Sequence, residues 1–357
     1  MKKTDSMNEN QGGQSGNKKI FTYIIIFALI FIIASAVIFD SFFSVKEYDK
    51  TDYAMGSEIS IKIKSRKNSD DLENNLVSDV KKLDSLISNK TEDTEISKLN
   101  KNGKEKVSDE TLYALKISKE IAEKSGGALD VTIGKVSELW DFDDEKNEVP
   151  SEDKIENALK TVDFRKITID GNTVSLGLNQ KIDLGAAGKG YACDIIKKRL
   201  EKEKYESAVI SVGGTVFVSG KNGGGSDFNI GIRTPEKNET GCFASLKVKS
   251  GQFISTSGNY EKSFEKDGKI YHHILSPRTG YPASSGLKSV TVVSDEGIIS
   301  DCLSTACFVL GYEKSKSLLL DYGASAVFVT DENDILTYNI KSSDLKLFSE
   351  NYSYSVS

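Results

Sequence analysis

Several short runs carry side chains that could act on a phosphorylated ligand. The first is Lys181-Ile-Asp-Leu-Gly-Ala-Ala-Gly-Lys-Gly-Tyr-Ala192, where Gly185, Gly188 and Gly190 surround Lys189. A short apolar strand is expected to enter this turn and a helix to leave it. The backbone can then approach a ligand closely, Lys189 adds a point charge, and the unpaired N–H groups of the helix start face the same place. Such a device suits a phosphate. The spacing is neither Gly-x-Gly-x-x-Gly nor the P-loop pattern, so the usual nucleotide readings do not apply. An ordinary strand–helix joint has the same local signature, so partners elsewhere in the chain must decide.

The second run is Ser300-Asp-Cys-Leu-Ser-Thr-Ala306. On a helix, Asp301, Ser304 and Thr305 share one face. A carboxylate with two hydroxyls is an oxygen-only set, the kind hard cations such as Mg2+ prefer. An Asp near a helix start also needs no metal, so ligand and cap both stay open. The third is Ile254-Ser-Thr-Ser-Gly-Asn-Tyr260, followed by Tyr271-His-His-Ile-Leu-Ser-Pro-Arg-Thr-Gly-Tyr-Pro282, which holds both histidines of the chain. Alternation sends His272 and His273 to opposite faces, so only one can face a given site. Fourth is Ser125-Gly-Gly-Ala-Leu-Asp-Val-Thr-Ile133. Its glycines would let a flat ring lie against the backbone at Ala128 and Leu129 while Asp130 accepts a hydrogen bond. A helix stop and turn is the alternative. Val212-Gly-Gly214, at a strand end, permits a bulge or a close approach.

Composition narrows the field. The net charge of −6 argues against a nucleic-acid partner. Cys193, Cys242, Cys302 and Cys307 form no Cys-x-x-Cys pair, and with two histidines a Cys/His zinc site has no framework. Small buried thiols are the expectation. Residues 1–19 read as a basic, polar cytoplasmic tail. Residues 20–39 carry no charge, and about twenty residues at ~1.5 Å each give ~30 Å, the thickness of a bilayer core. The expectation is an uncleaved single-pass transmembrane signal anchor in the cell membrane, with a cleaved signal peptide as its rival. The body would then be extracytoplasmic.

The rest of the chain supplies the frame. Residues 40–52 read as a linker, 53–340 as the catalytic body and 341–357 as a polar tail. Ile59, Ile61 and Ile63 alternate as a strand should. Leu72, Leu76, Val80, Leu83 and Ile87 form a helical stripe, and Ser108 starts another helix that Gly126-Gly127 ends. Strands are expected near 207–212, 215–219, 228–232, 242–248, 287–293, 326–330 and 335–340, with helices over 298–310 and 313–321. Strands and helices mix without a strict βαβ rhythm, so the class is α+β.

In this order the runs are similar to those of the ApbE family, the FAD:protein FMN transferases. The matching pieces are Met55-Gly-Ser57, Glu95-Ile-Ser-Lys-Leu-Asn100, Gly127-Ala-Leu-Asp130, Asp183-Leu-Gly-Ala-Ala-Gly-Lys-Gly190, Val212-Gly-Gly214, Thr256-Ser-Gly-Asn-Tyr260, His273 to Pro282 and Asp301-x-x-Ser-Thr305. They run from about Tyr53 to Val329. The resemblance implies an α+β, tunnelling-fold-related body with mixed and antiparallel sheets packed with helices. It implies an enzyme that uses FAD and Mg2+ to transfer FMN onto a Thr or Ser hydroxyl of an acceptor flavoprotein, releasing AMP; with the body outside the membrane, that acceptor would be extracytoplasmic. FAD contacts would fall on Met55, Ala128, Leu129, Asp130, Asp183, Lys189, His273 and Leu275. Metal ligands would fall on Asp301, Thr305 and the Ala186 carbonyl. His273 is the candidate for the proton of the incoming hydroxyl, with Asp183 as runner-up. Ser304 stands where some members carry a second Asp, and Lys90 where many carry an aromatic. A FAD pyrophosphatase and a non-catalytic flavin-binding protein are the alternatives.

Overall fold

The computed structural model describes residues 12–67, 69–142, 147–225, 227–236 and 239–354. The chain divides into two compact units, Met1–Lys46 and Glu47–Ser357.

The first unit is the helix Gly12–Phe43. Its described side chains, 20–35, are mostly apolar and exposed. Among the described residues no helix is long and apolar enough to cross a membrane. This corrects the transmembrane span expected over 20–39 and the single-pass cell-membrane location. The outward orientation of the body rests on that span and falls with it. Residues 1–11 of the expected tail lie outside the described residues.

The second unit is built on a nine-stranded sheet. Its strands lie in the order Lys46–Ala54, Ser57–Ser65, Ser207–Val212, Thr215–Gly220, Phe253–Gly258, Leu287–Ser294, Ser325–Thr330, Asp334–Tyr338 and Ser353–Tyr354. The central pairings are antiparallel and the last is parallel. Period-two alternation decides which side chains go where. Ile59, Ile61 and Ile63 are fully buried, while Lys62 and Lys64 between and beyond them pair with Asp49 and Glu47 at the surface.

Both faces of the sheet are covered. One packs against the helices Asp70–Ile87, Gly188–Leu200 and Gly297–Leu310, in a core that includes Val290, Val292 and Leu303. The other, with Ile254, Val293 and Val327, packs against a three-stranded sheet through Phe243, Leu246 and Val248. Covering both faces explains why Leu287–Ser294 reads as a nearly unbroken buried run. A third cluster gathers Val136, Trp140, Ile155, Phe264 and Leu275 beneath the loop that follows His273.

Two boundaries differ from expectation. The second half of the 40–52 stretch is strand, because its alternate side chains can lie along the edge of the sheet. The stretch read as a polar tail supplies Leu345–Leu347 to the small sheet and stacks Tyr352 on Phe243, with centroids 4.4 Å apart. Its aromatic content was the signal. The α+β class with mixed sheets and packed helices is as expected.

Candidate functional site

The helices Gly188–Leu200 and Gly297–Leu310 begin side by side, and neither is capped by the side chain before it. Each takes a carboxylate from the other. Asp194 of the first accepts from the amides of Gly297 at 2.6 Å and Ile298 at 2.8 Å. Asp301 of the second accepts, through Oδ2, from the amide of Gly190 at 2.9 Å. The two helix starts, each with partial positive charge, are neutralised crosswise. Two glycines make the approach possible. A Cβ on Gly190 would lie 2.1 Å from the Gly297 carbonyl oxygen, and one on Gly297 would lie 2.2 Å from the Gly190 carbonyl oxygen.

This exchange gives the opening run its shape. The 181–184 stretch is not a full strand: Lys181 makes a single bridge to Ile133, and Asn100 clamps Ile182 through both its backbone groups, at 2.6 and 2.9 Å. Asp183 donates its amide to Val131 and accepts the Gly185 amide through Oδ1 at 2.8 Å. The Gly190 amide lies in the first turn of the helix, without an intrahelical acceptor, and serves Asp301. Ala186 lies two residues before Gly188, the first residue of that helix.

Lys189 leaves the helix over the Val212-Gly-Gly214 turn. A Cβ on Gly213 would lie 2.8 Å from Lys189 Cδ and 2.9 Å from Ser57 Oγ, so the double glycine permits a close approach rather than marking a bulge. Met55 and Gly56 both have positive φ, 54° and 64°, as the tight turn between two strands demands. The Met55 amide is held by Asp84 at 2.9 Å, and its Cε lies 3.4 Å from where a Gly188 Cβ would be.

Around Asp301 the donors are oxygen. Ser257 Oγ lies 2.8 Å from Ser304 Oγ and 3.2 Å from Thr305 Oγ1, and Ser304 also donates to the Asp301 carbonyl. Asp301 is buried. Burial pushes its carboxyl up from the ordinary range, while the Lys189 ammonium and the amides of Gly190 and Lys189 pull it back. Among the described residues no group of three or more His, Cys, Asp or Glu could hold a metal ion. A buried carboxylate with neighbouring hydroxyls nevertheless fits a hard cation that takes most of its other ligands from water and phosphate. A buried carboxylate with raised affinity for protons is also one that a cation would stabilise.

His272 and His273 do face opposite ways. His272 is buried edge-on to Phe308 and bonds the Ala283 carbonyl at 3.1 Å. Burial lowers its pKa to about 4. His273 is near Lys189: burial first, then the charges of Lys189 and nearby Lys262, lower its pKa to about 3. Its Nδ1 is buried without a partner.

Two expected positions also have structural partners of their own. Asp130 is buried, and its oxygens accept from the Thr132 amide and hydroxyl and from the Phe164 amide. It anchors its own loop. Leu275 points into the Trp140 cluster. Ala128 and Leu129 are buried beside the double-glycine turn, which Arg278 ties to the His273 loop through the Gly126 carbonyl at 3.3 Å. Asp194, Asn100 and Ser257 were missed as contributors. The signal for Asp194 was its place one turn after Gly190, on a helix otherwise lacking a cap partner.

The arrangement defines an α+β protein with a paired helix-start site suited to a diphosphate and a hard cation. The family model of the ApbE family matches residues 55–328, so the chain belongs to the ApbE family. Its relatives include enzymes named FAD:protein FMN transferase. That of Treponema pallidum is 32% identical over 309 residues, 80% of this chain and 85% of the relative. That of Escherichia coli K12 is 32% identical over 224 residues, 61% of this chain and 64% of the relative. Among solved structures, the ApbE protein of Thermotoga maritima superposes with a TM-score of 0.76 at 32% identity, covering 82% of this chain and 97% of its own. The flavinyl transferase ApbE of Pseudomonas stutzeri gives 0.72 at 27% identity, covering 84% and 96%.

Two outcomes follow from the geometry. Gly190→Ala forces apart two backbones that touch, so chemical denaturation should show a loss of about 1–3 kcal/mol. Any transfer activity should fall about 100-fold with the displaced carboxylate. Retention of both stability and activity contradicts the contact. His272 has a folded pKa of about 4 against an ordinary 6.5. Its stabilising contribution is complete above pH 6.5 and is lost as pH falls toward 4, because the unfolded chain binds the proton first. Between pH 7 and 5 the loss should be about 2 kcal/mol. Denaturation curves of His272→Gln should be correspondingly flatter over that interval.

Proposed function

We propose that this chain is a Mg2+-dependent FAD:protein FMN transferase. It moves FMN from FAD to a Thr or Ser hydroxyl of an acceptor protein and releases AMP. The observation that carries the reading is the buried Asp301 held on the start of the Gly188–Leu200 helix beside Lys189, with Ser257 linking Ser304 and Thr305 of the same helix as Asp301, in a chain of the ApbE family.

Asp301, Thr305 and the Ala186 carbonyl would hold the cation. When bound, it would neutralise charge on the diphosphate and on the leaving AMP. Lys189 and the start of the Gly188–Leu200 helix take the remaining anionic oxygens. Met55, Ala128 and Leu129 line the approach for the flavin. Asp130 supports that wall by holding its loop against Phe164.

The acceptor oxygen attacks the FMN phosphorus, and the bond from that phosphorus to the bridging oxygen breaks. AMP departs with the electron pair. The hydroxyl proton passes to His273, whose ring is neutral at pH 7 and whose buried Nδ1 has no hydrogen-bond partner. A diphosphate would offset the charges of Lys189 and Lys262 that help to depress this histidine. Asp183, beside the same turn, is the second candidate for the proton.

The test is to incubate the full chain with FAD, Mg2+ and a candidate acceptor. Mass spectrometry should find an FMN increment on a Thr or Ser, with one AMP released per FMN. Asp301→Ala should reduce it by about 100-fold or more. Rapid release of free FMN and AMP with no labelled protein would assign the chain instead as a FAD pyrophosphatase. Unimpaired labelling by Asp301→Ala would remove the metal from the mechanism.

A further inference from the structure

We infer that Asp194 is a positioning residue that sets where Asp301 and Thr305 stand relative to Lys189. The inference rests on the transferase reading above. Asp194 lies on the Gly188–Leu200 helix, one turn beyond Gly190. Its two oxygens grip the first two amides of the Gly297–Leu310 helix, at 2.6 and 2.8 Å. Asp301 lies on that second helix, one turn beyond Gly297, and returns the bond to Gly190. The two carboxylates and two glycines therefore close a ring across the helix pair. Asp194 contacts no reacting group, and its effect must pass through the second helix.

Nothing else among the described hydrogen bonds can substitute for it there. Glu296, the residue before that helix, gives it no side-chain cap and instead accepts from the Tyr113 hydroxyl at 3.0 Å. Ser300 donates back to the Gly297 carbonyl, which leaves the two amides to Asp194 alone. Without the carboxylate, the Gly297 and Ile298 amides lose their acceptor, and the first turn of the helix loses its anchor to the Gly188–Leu200 helix. The serine bonds to the sheet hold the rest of the helix, so the expected effect is a shift of its first turn that displaces Asp301 relative to Lys189.

Asp194 also borders a groove of about 500 Å3, lined by Tyr113, Tyr191, Ile195 and Lys198 among others. The groove gives small anions a path to the space the side chain would vacate. Formate can therefore stand in for the missing carboxylate in Asp194→Ala.

The experiment compares wild type, Asp194→Ala and the isosteric Asp194→Asn. Three readouts are taken: FMN transfer with its kcat and KM for FAD, the Mg2+ dissociation constant by calorimetry without FAD, and the effect of added sodium formate. The expectation is a kcat at least about 10-fold lower and Mg2+ binding at least about 10-fold weaker, the range typical of a residue that orients a metal ligand. KM for FAD should change much less, and formate, not chloride, should restore part of the kcat of Asp194→Ala. If that variant does not fold, the same kcat and Mg2+ measurements on Asp194→Asn decide. Lowered thermal stability with unchanged kcat and unchanged Mg2+ affinity would overturn the inference, leaving Asp194 a structural cap only. A wild-type enzyme that transfers no FMN would instead remove the reading on which the inference rests.

Discussion

The contact between Gly190 and Gly297 is the constraint on which the rest of the site depends. It brings two helix starts within backbone distance, which only residues without a Cβ allow. Two positive helix ends so close would repel, and each would leave orphan amides in a buried place. The exchanged carboxylates, Asp194 and Asp301, answer both problems. One of the two is then left beside a lysine and a row of hydroxyls, in surroundings that favour adding positive charge. The same interactions that hold the fold together thus shape the place where we propose that a cation and a diphosphate bind.

The sheet supplies rigidity behind this pair. Ser255 and Ser257 project from the Phe253–Gly258 strand toward the second helix, where Ser255 meets Ser300 at 2.7 Å and Ser257 meets Ser304 at 2.8 Å. Hydroxyls spaced by two on a strand match positions spaced by four on a helix. Such a ladder fixes the helix against the sheet without bringing further charge into the core. The Ser304 hydroxyl, where some family members carry an acid, fits the same pattern: it is buried and satisfied as a hydroxyl.

Much of this could be read from the chain. The period of Ile59, Ile61 and Ile63 gave a strand with one buried face, and the spacing of Asp301, Ser304 and Thr305 gave a shared helical face. The order of the motifs carried the family. What escaped was contact between distant segments. Asp194 is an unremarkable helical acid until Gly297, 103 residues later, is laid beside it. Asp130 reads as a ligand acceptor, and the fold adds a local role: its oxygens also accept from Thr132 and Phe164 and anchor the turn after the two glycines. The ordinary pKa of histidine suggested a base poised near neutrality, whereas burial beside Lys189 lowers His273 to about 3. The apolar N-terminal run suggested a membrane span, but no helix among the described residues is long and apolar enough. In each case the local signal was genuine and the surroundings changed its meaning.

The most direct measurement is a crystal structure of the chain with FAD and Mg2+ bound. The account predicts one ion contacting the Asp301 carboxylate, the Thr305 hydroxyl and the Ala186 carbonyl, with Lys189 on the diphosphate and the Gly190–Gly297 contact unchanged. An ion remote from Asp301, or a diphosphate away from the start of the Gly188–Leu200 helix, would contradict it.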